Sequence, residues 1–188
     1  MEPGNKMISF LKNQDIALVK LSEEDDLSSY FSFINDVDNL IWLDGVGNFP
    51  LNKKDLIEHI GSPDMLLLGI IDHKKEHVGN IQLSCINFQH RNAMLGLILA
   101  KEYQGKGYAL SACRLFLQHA FEILNLHRIF LTVIGGNNGA IKLYKKLGFQ
   151  EEGRERDMHL VNSVFHDGIR FSLLKKEYIK MQKELMML

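Results

Sequence analysis

Only two of the 188 residues are cysteine and only three are proline. Cys85 and Cys113 stand far apart without metal-type spacing, so neither a disulfide framework nor a metal site is expected of them, and a reducing, cytoplasmic setting suits the chain. Scarce proline beside 46% hydrophobic residues argues against a disordered or linker-dominated chain. An excess of one charge is missing too. Lys plus Arg number 22 against 23 Asp plus Glu, a formal net charge of -1 that offers nucleic acid no broad basic face. No uninterrupted apolar run approaches the ~18–20 residues that span a bilayer, so no membrane partner is expected. Met1 to Asn5 has neither the basic start nor the apolar stretch of a secretory signal. No internal repeat or low-complexity tract divides the sequence. What remains is globular composition and a length suited to one domain over 1–188.

Periodicity supplies the elements. Ile16 to Val19 reads as a strand, and the acidic run Glu23 to Asp26 as a helix start, because carboxylates favour the positive end of a helix dipole. Leu27, Phe31 and Ile34 then recur at helical spacing. Asn39 to Pro50, with Trp42, Asp44, Gly45, Gly47 and Phe49, has loop chemistry, and a short helix over Lys53 to Ile60 closes on Gly61. Strand-like runs follow at Met65–Ile71, His77–Ile86 and Ala93–Ala100, the first two joined by a polar turn over residues 72–76. Ala109, Ala112, Cys113, Phe116, Ala120 and Leu124 form one stripe of an amphipathic helix. Ile129–Ile134 is a β-branched strand, Asn137–Leu147 a second amphipathic helix ended by Gly148, and two further strands cover about residues 150–162 and 168–175. The order predicts a mixed sheet with helices packed on it, an α/β (α+β) architecture.

The chemically informative stretch runs from Leu97 to Ala109. An apolar strand ends, a short turn follows, and Gly105 and Gly107 open a helix. Small residues there let a ligand approach the backbone, and the first amides of the helix lack intrahelical partners. Together with the dipole these make an anion site suited to phosphate or pyrophosphate. The same glycines also suit a turn that merely packs helix on strand. Other phosphate loops fit worse: Lys106 is followed by Gly107 rather than a hydroxyl, and a dinucleotide fingerprint would need Gly or Ala at Leu110.

Gln104-Gly105-Lys106-Gly107-Tyr108-Ala109 resembles the Q/R-x-x-G-x-G/A signature of the GNAT N-acetyltransferases. Leu126 to Ile129 precedes a strand as in that family. Asn137-Asn138-Gly139-Ala140-Ile141-Lys142-Leu143-Tyr144-Lys145-Lys146-Leu147-Gly148-Phe149 is similar to its second block, N-x-x-A-(I)-x-x-Y-x-K-x-G-F. The likeness is close over about 93–153, looser elsewhere, and strongest to the branch of ribosomal-protein N-terminal and spermidine acetyltransferases. It implies a GNAT fold, a mostly antiparallel mixed sheet of about seven strands flanked by helices. It also implies an enzyme with acetyl-CoA as co-substrate. The pantetheine arm would pair with the backbone of Leu97, Ile98 and Leu99. The pyrophosphate would sit on amides within Gln104, Gly105, Lys106, Gly107, Tyr108 and Ala109, and Asn137 and Ala140 would flank the far side. Tyr144 would be the general acid for the departing thiolate, a role a phenol of pKa near ~10 can fill, although helical spacing alone also fits a ring that fills an apolar face.

An alkylammonium of pKa near 10.4 is neutral in only about one molecule in a thousand at pH 7, so a base is needed. Some family members place a Glu at the position corresponding to Thr132, which cannot serve. A water chain would have to substitute, or a carboxylate or His from elsewhere, with Asp44, His90 and His159 as candidates of equal standing. Trp42, Asp44 and Phe49 are the candidate acceptor-binding wall, or else aromatics anchoring their loop in the core. His73 and His77 flank a turn rather than riding a helix face, so no metal site is expected; Cys113 reads as core filler and Cys85 as unreactive. The Met-rich segment from Lys175 onward packs in cis or on a second chain, so monomer and homodimer both stay open. The acceptor is a protein N-terminus, a polyamine or an amino sugar. The rival class is a non-catalytic acyl-CoA-binding module, which the absent Glu favours and Tyr144 opposes.

Overall fold

Alternating burial along the apolar runs builds the sheet. In β6, Arg128–Ile134, residues Ile129, Leu131 and Val133 are buried while Phe130 and Thr132 are only partly covered, the period of two that a pleated strand imposes. The computed structural model describes residues 9–42 and 50–186. The remaining strands are β1 Ser9–Lys12, β2 Ile16–Lys20, β3 Leu66–Asp72, β4 His77–Asn87, β5 Asn92–Leu99, β7 Gln150–Val161 and β8 Val164–Leu174. The helices are α1 Ser28–Ile34, α2 Val37–Leu40, α3 Lys53–Ile60, α4 Tyr108–Gln118, α5 Asn138–Lys146 and α6 Lys175–Met186, with a 3₁₀ turn over Lys101–Tyr103. The strand order is β1-β2-β3-β4-β5-β6-β8-β7. The neighbours β5 and β6 are parallel, and the α4 crossover between them supplies the long connection a parallel step requires. The pairs β1–β2, β2–β3, β3–β4, β6–β8 and β7–β8 are antiparallel. No described helix is long and apolar enough to cross a membrane.

The chain packs as two compact units, Met1–Leu83 with Gly96–Phe116, and Ser84–Leu95 with Leu117–Leu188. In the first, Val19, Leu21, Tyr30, Phe33, Leu56 and Leu67 are buried together. The rings of Tyr30 and Phe33 lie 5.2 Å apart, and His77 meets both edge-on at 5.9 and 5.6 Å. Nε2 of His77 bonds to Gly79 O and Asn80 Oδ1, and burial drives the imidazole below its ordinary value. Helix α3 starts on a capping box in which Asn52 and Asp55 satisfy each other's backbone amides. In the second unit, Phe121 stacks on Tyr178 at 4.9 Å, and the Tyr178 hydroxyl donates to Glu122. Arg128 grips Glu152 with both terminal guanidinium nitrogens, holding that carboxyl at about 2.

Several elements differ from the sequence expectation. The acidic run does not start a helix: Asp25 accepts from Ser22 and Asp26 from the Ser28 amide, so these carboxylates shape turns before α1. Strand β1 was not expected. The helix over 109–124 is α-helical only to Gln118, then widens to a π turn over His119–Ile123. Strands β7 and β8 form one long hairpin closed at Asn162 and Ser163, both at positive φ.

Candidate active site

In the first unit, β5 delivers the chain to the glycine loop. Leu97 and Ile98 are half-buried and Leu99 is buried, so the strand end is anchored in apolar contacts. The amide of Ala100 donates to Val78 O at 3.0 Å, and a Cβ at Gly79 would overlap the Ile98 carbonyl, so β4 and the end of β5 meet closely only because residue 79 has no side chain. The side-chain amide of Gln104 donates to Leu99 O at 3.2 Å and to Asn39 Oδ1 at 3.3 Å. The first residue of the signature thus ties the strand end to α2. Gly105 and Gly107 sit at φ 74° and 89°, a left-handed conformation that side-chain-bearing residues rarely adopt, and a Cβ at either would meet nothing within 4 Å. Their role is therefore conformational, and the space above them is open.

The first α4 bond runs from Ser111 N to Gly107 O, at 3.1 Å. The amides of Tyr108, Ala109 and Leu110 precede it and have no acceptor on the preceding turn of helix. Such a set of donors at a dipole's positive end attracts an anion. Lys106 Nζ lies 5.0 Å over the Tyr103 ring. Two tyrosines that sequence reasoning gave no side-chain role flank the loop: Tyr103 donates to Glu76 Oε2 at 2.8 Å, and Tyr108 to Asp72 Oδ2 at 3.3 Å. The bond to Glu76 holds the Tyr103 phenol up at about 12. Their placement on either side of Gln104–Gly107 was the available signal.

In the second unit, Asn137 caps α5: its side-chain oxygen accepts the Ala140 amide at 3.0 Å. Tyr144 is buried on the inner face of α5, with its ring 5.4 Å from that of Phe149 in an edge-on contact. The Phe149 amide bonds back to the Tyr144 carbonyl, and Gly148, at φ 86°, makes the reversal that brings Phe149 under the ring. Thr132 is half-buried opposite Arg170 on β8. His90 is exposed in the turn after β4, whereas His159 is buried in β7 opposite His166. Trp42 is half-buried just beyond α2, while Asp44 and Phe49 lie outside the described residues. Among the described residues no group of three or more His, Cys, Asp or Glu is arranged to hold a metal ion.

The Acetyltransferase (GNAT) domain family matches residues 15–150, the span from β2 to the first residue of β7. The chain belongs to the GNAT acetyltransferase family. Among its GNAT relatives, the spermidine N(1)-acetyltransferase of Vibrio cholerae is 41% identical over 108 residues, which are 57% of this chain and 62% of that protein. The spermidine N(1)-acetyltransferase of Escherichia coli (strain K12) is 34% identical over 114 residues, 61% of each. The aligned segments thus span about three-fifths of these curated relatives. The crystal structure of the Vibrio cholerae spermidine N-acetyltransferase in complex with CoA and spermine superposes with a TM-score of 0.80 at 30% identity. It covers 89% of this chain and 99% of that one. GNAT acetyltransferases use acetyl-CoA as co-substrate.

Proposed function

We propose that this chain is a single catalytic domain that moves the acetyl group of acetyl-CoA directly onto a primary amine of a polyamine such as spermidine or spermine. The observation carrying the cofactor half is the loop itself. Two glycines are held left-handed under open space, and three amides stand ahead of the first bond of α4. The diphosphate of acetyl-CoA accepts from amides along Gln104–Ala109, and its pantetheine arm adds as a strand along Leu97, Ile98 and Leu99. The ladder between β5 and β6 covers Asn92–Met94 with Arg128–Phe130, so those three residues lie beyond it. Asn137 and Ala140 are the further cofactor contacts that the second motif block implies. The acceptor half rests on similarity to two spermidine acetyltransferases and to a structure holding spermine.

The amine nitrogen attacks the thioester carbonyl, the tetrahedral adduct collapses with loss of the C–S bond, and the thiolate takes the Tyr144 proton. Holding both reactants in one site supplies the proximity that makes this fast. The ammonium gives one proton to water before it attacks, since Thr132 has no basic group, and the proton that the nitrogen sheds as the adduct collapses restores the Tyr144 phenol. Trp42, just beyond α2, is the described candidate for the acceptor's wall.

Release of free CoA thiol, measured with spermidine, spermine, glucosamine and a peptide bearing a free N-terminus, tests the reading. Turnover is expected to be fastest with the two polyamines. Fast transfer to the peptide or the sugar alone would overturn the polyamine assignment, and acetyl-CoA binding without transfer to any amine would make the chain an acyl-CoA-binding module.

A further inference from the structure

The glycine loop is held from outside its own helix. The polar turn between β3 and β4, residues 72–76, presents two carboxylates to it, and the two phenols that take them stand one on each side of Gln104–Gly107. We infer that Glu76 and Asp72 are positioning residues for the cofactor's diphosphate, clamping Tyr103 and Tyr108 so that the loop's amides are already aimed before acetyl-CoA arrives. This rests on the reading that the loop takes the diphosphate.

The turn is built to be a firm anchor. Asp72 Oδ1 accepts the amides of Lys74 and Glu76 at 2.8 and 2.9 Å. The backbones of Asp72 and Glu76 also bond, at 3.0 Å, and Lys75 bonds back to Asp72 O with φ 68°. Asp72 is buried and therefore locked, and its other oxygen faces Tyr108. Tyr103 adds a second task, since its ring lies beneath the Lys106 ammonium in the middle of the loop. Two left-handed glycines make a loop that ranges widely unless something outside restrains it. Restraint imposed in the free protein removes an ordering cost from binding.

Electrostatics argues in the opposite direction, which makes the inference testable. A carboxylate beside a diphosphate site repels the ligand, so deleting it should tighten binding if charge were its only influence. The clamp predicts that losing the acceptor weakens binding even though the repulsion goes with it.

Titration calorimetry with acetyl-CoA on the full chain reads the effect, alongside kcat at saturating cofactor and the amide resonances of Gly105 and Gly107 in the ligand-free protein. Y103F, which keeps the ring under Lys106, and E76A should each weaken binding on the order of three- to tenfold. Turnover at saturation should be unchanged, both glycine resonances should move, and the double variant should be no worse than the weaker single one. E76Q keeps an oxygen acceptor and should bind as the wild type or more tightly. Equal tightening by E76A and E76Q, or unmoved glycine resonances in Y103F and E76A, would overturn the clamp alone. A wild-type chain that does not bind acetyl-CoA would overturn the functional reading beneath it and the diphosphate role together.

Discussion

Replacing Gly107 by alanine separates backbone conformation from steric room, because a Cβ there touches nothing within 4 Å while φ stands at 89°. No clash contributes, so the whole cost is conformational. A side-chain-bearing residue held in the left-handed region loses about 1–2 kcal/mol, and φ here lies past the centre of that region. Reduced freedom of the unfolded chain returns ~0.4–1 kcal/mol. The net destabilisation is therefore about 1 kcal/mol, which for a chain of this size lowers Tm by roughly 2–4 °C. Two further glycines calibrate the measurement. Gly153 shows neither a positive φ nor any neighbour within 4 Å, so G153A should match the wild type or slightly exceed it. Gly148 combines φ 86° with Met181 Sδ at 3.2 Å from the added carbon, so G148A should fall furthest. Thermal unfolding followed by circular dichroism ranks the three, with acetyl-CoA titration of G107A in parallel. Alanine pulls the loop toward right-handed geometry and misaims the amides, so affinity should drop about tenfold, equivalent to ~1.4 kcal/mol. If G107A melted with G153A and bound acetyl-CoA as the wild type does, the conformational argument for the loop would fail.

Y144F should reduce turnover by roughly a hundredfold or more while leaving the acetyl-CoA dissociation constant within about twofold; undiminished turnover would remove the phenol from the reaction. Cys85 is exposed, whereas Cys113 is fully buried, its thiol pushed up to about 12 by desolvation. An aromatic disulfide reagent should therefore titrate one thiol in the native chain and two in denaturant, and rapid reaction of both in native buffer would contradict the packing. Burial lowers His77, His59 and His119 below their ordinary value near 6.5, so the unfolded chain binds protons there that the folded chain refuses. Stability from these groups is complete above that value and erodes as pH falls below it, and Tm should be lower at about pH 5.5 than at about pH 7.5. A Tm that rises on acidification over that interval would refute the sign.

The glycine pair and the block around Tyr144 were legible because left-handed backbone and helix capping demand particular residues at fixed spacing. The wide turn over His119–Ile123 was not. The stripe through Ala112, Cys113, Phe116 and Ala120 is buried as its spacing implies, but the extra residue in that turn rotates the next positions, so Phe121 is fully buried and Leu124 is only half-covered. The hairpin turn at Asn162–Ser163 escaped notice because it lacks the glycine that such turns usually advertise. The acidic run misled for a related reason: an aspartate near a helix start can serve the dipole or close a local turn, and hydrogen bonds that appear only on folding decide between them. The tyrosine–carboxylate bonds join residues about thirty apart in sequence, and no local pattern carries that pairing.

The turn closing the outer hairpin offers a way to raise heat tolerance. It holds two L-amino acids in a geometry that mirror-image residues or glycine would occupy at ease, φ 50° at Asn162 and 63° at Ser163. Natural selection has left a small unrelieved strain there, in a stretch of chain assigned no chemistry. An Asn-Gly sequence at that tip would relieve it, yielding a sturdier chain with the glycine loop and α5 untouched.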